Sequence, residues 1–159
     1  MMFERRDGAD WIFRLKSKER ELLLSVLGFR EQFPRRSSPI SRDPDTATEF
    51  LEAGQELNSS LTAHRGSVAK SVDQMLKDPV RCRAIQGGYE LLMDSDQVHG
   101  LLQALNEVRI GAWEKLGCPD FESAVKPKIS SKGVASLWVL QLTALFQGRL
   151  LAALEHDPS

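Results

Sequence analysis

Apolar residues recur every three to four positions over most of the chain, which is the signature of amphipathic helices. Behind Ser17, a candidate N-cap, Leu22, Leu23, Val26, Leu27 and Phe33 predict a first helix over about 18–32. A second stripe, Phe50, Gly54, Leu57, Leu61, His64, Val68, Val72 and Met75, predicts a helix over about 47–77 that opens on the capping pattern Thr46-x-x-Glu49. At 1.5 Å per residue this helix is about 46 Å long, so it either spans the molecule or breaks near Gly66-Ser67. Asp94-x-x-Gln97 begins a third helix, over about 95–116, with the seam Leu101, Leu105, Val108, Ala112 and Leu116. Gly117 and Pro119 stop it. The last helix, about 132–154, is apolar on nearly every face between Leu137 and Phe146, which places it at the centre of a bundle or beneath a second subunit.

Two stretches lack this rhythm. Near the start, Phe3 to Arg6 and Trp11 to Leu15 flank Asp7-Gly8-Ala9-Asp10, a hairpin signal over 1–16. Residues 79–93 fit a helical turn or an extended segment equally well, with Gly87-Gly88 as a break. Residues 33–44 hold Pro34, Pro39 and Pro44 among basic and serine residues, and form a long connection. The fold expected from these elements is mainly α: a single domain over 1–159, with four to five helices in a bundle and a small N-terminal β-hairpin.

The 159 residues, 42% hydrophobic and 27% charged, describe an ordinary globular chain. Its net charge of −1 is too balanced to advertise nucleic acid or an anionic membrane. The distribution is uneven, because residues 1–42 carry ten Lys/Arg against six Asp/Glu. Arg35, Arg36 and Arg42 give the proline-containing loop its basic character, suited to an acidic partner or to a plain solvated loop. No apolar run reaches 18 residues and the first residues are charged, so neither a membrane span nor secretion is expected, and a reducing cytoplasm is.

Catalytic chemistry is poorly supported. The phosphate-cradling glycine motifs and the serine elbow are absent, and His64, His99 and His156 are scattered. No metal site or cofactor is expected, and His64, on its apolar stripe, suggests a hydrogen-bonded core imidazole. Cys82 and Cys118, 36 positions apart, match no metal spacing but would form a redox pair if their α-carbons came within about 7 Å. Asn106, Glu107, Arg109 and Trp113 set polar groups into an otherwise apolar helix face. Arg109 presents a planar fork suited to a carboxylate or phosphate, so the cluster is a partner contact or a buried structural clamp.

Around these residues the segment Leu101 to Gly117 resembles the signature of the bacterial domain-of-unknown-function family numbered 2017, an apolar helix with a Leu-Asn-acid-x-Arg-apolar core ending in Leu-Gly. Residues Leu15 to Leu23 and the apolar last helix are similar too, while Ala112-Trp113-Glu114 departs from the pattern. The resemblance implies a small, mostly helical cytosolic protein without an assigned reaction, and it favours regulation over catalysis. The expected function is a non-enzymatic regulatory or adaptor domain that binds a protein partner, with a homodimer among the assemblies to consider. The alternative is a redox-sensitive, nucleic-acid-binding transcriptional regulator that uses the basic N-terminal third and the cysteines.

Overall fold

A computed structural model describes residues 1–5, 10–32, 47–122, 129 and 131–156. Trp11, Phe13 and Leu15 share one buried face of a strand, while Ile12, Arg14 and Lys16 point to the other, where Ile12 is buried as well. This strand, β2 (Trp11–Lys16), pairs antiparallel with β1 (Met2–Arg5). It then continues without a loop into α1 (Ser17–Gly28), extended by a 3₁₀ turn over Phe29–Gln32. The Glu19 carboxylate accepts the Lys16 backbone N–H at 2.8 Å and meets the N-terminal ammonium at 3.1 Å, fixing the strand-to-helix junction. Ser17 is therefore the first helical residue, and the cap position falls on Lys16.

The long second helix, α2 (Ala47–Lys77), runs on through Gly66-Ser67. Among its described side chains, Val72 and Met75 of the predicted stripe are buried, with neighbouring Leu76, and Val68 packs partly against the core, whereas Leu57, Leu61 and His64 are exposed. The expected core imidazole is thus a surface side chain.

The fold class requires correction. Residues 79–93 form a second hairpin, β3 (Cys82–Ile85) and β4 (Gly88–Met93), and β4 pairs with β2 to complete a four-stranded antiparallel sheet in the order β1-β2-β4-β3. The protein is an α+β fold and not a mainly-α bundle. The cause is long-range pairing: a lone hairpin is marginal, and each of these two supplies the other with a neighbouring strand. Gly87 takes φ +86° in the turn, and Gly88 lies so close to β2 that a Cβ there would stand 2.1 Å from the Leu15 carbonyl oxygen.

Trp11, Phe13 and Leu15 pair with Met93, Leu91 and Tyr89, giving the sheet its helix-facing side. Phe3 stacks on Trp11 with ring centroids 4.8 Å apart. The opposite side carries charges of alternating sign across the four strands: Arg83 and Arg14 both contact Glu90, and Arg14 also contacts Glu4. α3 (Ser95–Lys115) starts on the predicted capping box, with Asp94 accepting the Gln97 N–H at 2.8 Å. α4 (Val134–Glu155) follows a short 3₁₀ turn and packs along α3. Leu101, Leu105 and Val108 of α3 and Val139, Phe146 and Leu150 of α4 join the sheet side chains in one core.

Candidate functional site

Four predicted site residues lie on α3, and the structure gives them different tasks. Glu107 faces inward toward two arginines, with Arg30 Nε at 3.4 Å and Arg65 Nε at 3.5 Å. It therefore joins the 3₁₀ turn after α1 and the middle of α2 to α3. Asn106 and Arg109 form a surface pair one turn apart, Arg109 donating to the Asn106 side-chain oxygen at 3.1 Å. Among the described residues no carboxylate holds Arg109, and its side chain is exposed at the edge of the helix.

Trp113 organises the end of α3. Gly117 takes φ +85° and Cys118 φ +55°, turning the chain back so that the Cys118 N–H reaches the Trp113 carbonyl at 3.1 Å. The indole Nε1–H donates to the Pro119 carbonyl at 2.9 Å. With its polar atom satisfied, the indole leaves apolar surface outside, where Phe121 lines the same groove.

These features enclose a groove between α3 and α4. Arg109, Ile110, Trp113 and Phe121 line one side, and Leu140 and Ala144 of α4 the other, around about 390 Å³ of open space. Ile110, Trp113 and Phe121 are large apolar side chains exposed at its wall. Among the described lining residues Arg109 is the one that is charged. The groove can therefore receive an apolar side chain flanked by an acidic group. Its described lining holds no Ser, Thr, Cys, Lys or His, and among the described residues no three His, Cys, Asp or Glu side chains cluster as metal ligands.

The cysteines lie apart. Cys82 is buried in β3 opposite Leu91, near the start of α3, and Cys118 is exposed beyond its far end. A helix of 21 residues, about 31 Å long, intervenes, so both are separate free thiols. Arg35, Arg36 and Arg42 fall outside the described residues, as does the turn after Arg5.

Leu140, Ala144 and Phe121 were not among the predicted site residues. The α4 pair belongs to the helix whose apolar residues exceed what one core covers, which was the available signal. Phe121 is a lone aromatic in a polar connector, and only the turn at Gly117-Cys118 brings it to the groove. Among the described residues one helix, α4, is long and apolar enough to cross a membrane by length and composition. It carries Ser136, Thr143 and Gln147 buried on its inner side, where the Thr143 hydroxyl donates to the Val139 carbonyl. No family model, curated protein or solved structure matches the chain.

Proposed function

We propose that this chain is a non-enzymatic, cytoplasmic protein-binding module of the regulatory or adaptor kind, and that the α3–α4 groove receives an apolar segment of its partner bearing an acidic residue. The single observation that carries this reading is the set of exposed apolar walls, Ile110, Trp113 and Phe121, beside an exposed guanidinium that has no carboxylate partner among the described residues. Tryptophan and arginine are the side chains that most often dominate binding energy at protein interfaces. A groove between two helices is also a common receptacle for an amphipathic peptide.

Selection of a random displayed-peptide library on the immobilised protein tests the proposal. Recovered peptides should combine bulky apolar residues with Asp or Glu. Their affinity should fall at least about tenfold, the worth of one charge-assisted hydrogen bond, in Arg109→Glu and in Ile110→Glu. Both residues are exposed, so circular dichroism should show the fold retained. Absence of enrichment, or peptides indifferent to both substitutions, would refute it.

A further inference from the structure

About a quarter turn around α4 from the groove, and directly opposite the side that packs in the core, lies a second apolar surface. Val134, Trp138, Gln141, Leu145, Gly148 and Ala152 follow one another at helical spacing along it. Trp138 is 58% exposed, Val134 52% and Leu145 48%. Residues 134–148 contain no Asp, Glu, Lys or Arg.

We infer that this face is the contact between two copies of the chain, joined by antiparallel packing of α4 on its symmetry mate.

Three observations select a second copy as the occupant. The first is area. The three exposed side chains of the stripe leave about 300 Å² uncovered, about two thirds of the apolar share, about 450 Å², of the roughly 800 Å² per subunit in a standard interface. The second is the order of side-chain sizes along the stripe. A two-fold axis passing beside Gln141 and Leu142 sets Trp138 against Leu145 of the partner subunit, and brings Val134 over Gly148 of the partner subunit, where no side chain obstructs it. The pattern is therefore complementary to its own reverse. The third is the one polar residue of the stripe. Gln141 falls beside the axis, where two amides can donate to and accept from each other. A polar pair at such a position fixes register in helix–helix association. A membrane surface would instead favour lysines and arginines bordering the apolar stripe, and the first charged residue after the stripe's centre is Arg149 alone.

The test uses the full chain. By sedimentation equilibrium at about 100 μM, wild type should show twice the 17.8 kDa chain mass, while Trp138→Glu is monomeric and Trp138→Phe remains dimeric. In a Cys118→Ser background, Gln141→Cys should cross-link to a covalent dimer on mild oxidation. Val134→Cys should not, because its symmetry mate lies about 22 Å away along the axis. A monomeric wild type, a dimer indifferent to Trp138→Glu, or cross-linking through Val134→Cys in place of Gln141→Cys would each overturn the inference. So would flotation of wild type with phosphatidylglycerol vesicles that Trp138→Glu abolishes, which would assign the face to a membrane. Groove binding by displayed peptides is read separately, so failure there and failure here are distinguishable.

Discussion

Replacing Gly88 by alanine places a methyl group 2.1 Å from the Leu15 carbonyl oxygen and 2.9 Å from the Lys16 α-carbon. Both are backbone atoms of β2, so no side-chain rotation relieves the contact. Real Cβ contacts stay above 3.0 Å, and β4 must therefore retreat by nearly an ångström at the end where Gly88 pairs with Lys16. A hydrogen bond of 2.9 Å stretched by that amount is no longer one. Loss of about two ladder bonds at about 1 kcal/mol each, together with loosened packing around Leu15, gives a cost of about 2–3 kcal/mol. With a urea m-value of about 2 kcal/mol/M, the unfolding midpoint should fall by about 1–1.5 M. Circular dichroism at equilibrium in urea provides the assay. Gly28→Ala is the control, because it has open space around the new Cβ at the end of a helix and should leave the midpoint unchanged or raise it. A Gly88→Ala midpoint equal to wild type would refute the β2–β4 register and the α+β assignment built on it.

Two further predictions concern charged side chains. Glu107→Ala should cost about 1–2 kcal/mol, lowering the melting temperature by about 3–8 °C, because it strands Arg30 and Arg65, whereas Arg109→Ala should stay within about 0.5 kcal/mol. Equal effects in thermal denaturation would refute the division between clamp and groove. Burial raises the Glu19 pKa, but the Lys16 N–H, the N-terminal ammonium and the Lys16 charge together outweigh it and hold the carboxyl below its ordinary value. A depressed folded-state pKa gives stability that is complete above the unfolded value of about 4.3 and is lost as pH falls through the folded one. The stability difference between wild type and Glu19→Gln should therefore be constant from about pH 5 to 7 and shrink below about pH 4.3, as urea titrations at each pH would show.

Helices were legible where the apolar period ran long and ended in chemical stops. Asp94 and Gln97 marked one end of α3 and Gly117 the other, and each works by a local hydrogen bond or backbone angle. The second hairpin was not legible, because its defining contacts are remote. Tyr89, Leu91 and Met93 do alternate, but Leu92 between them is also apolar, and β3 has four residues. Only the pairing with Trp11, Phe13 and Leu15 makes one side of β4 the inside. His64 was misplaced for a related reason: the stripe of α2 is continuous in sequence, while the layer it packs against covers its C-terminal end. At the site, residue types were legible but not their directions. Glu107 and Arg109 are two positions apart on a helix, about 160° around its axis, and so perform different tasks.

The pairing of Trp11 with Met93 has a consequence for synthesis. About 80 residues separate the two, so at about 5–20 residues per second the ribosome needs roughly 4–16 s to deliver the partner strand. Throughout that interval Trp11, Phe13 and Leu15 lack the strand they pair with in the folded sheet, and β2 has no partner on that edge. Slower translation of the α2 segment lengthens this exposure directly, so codon choice there, with the protein sequence untouched, should govern how much of the chain aggregates before the sheet closes.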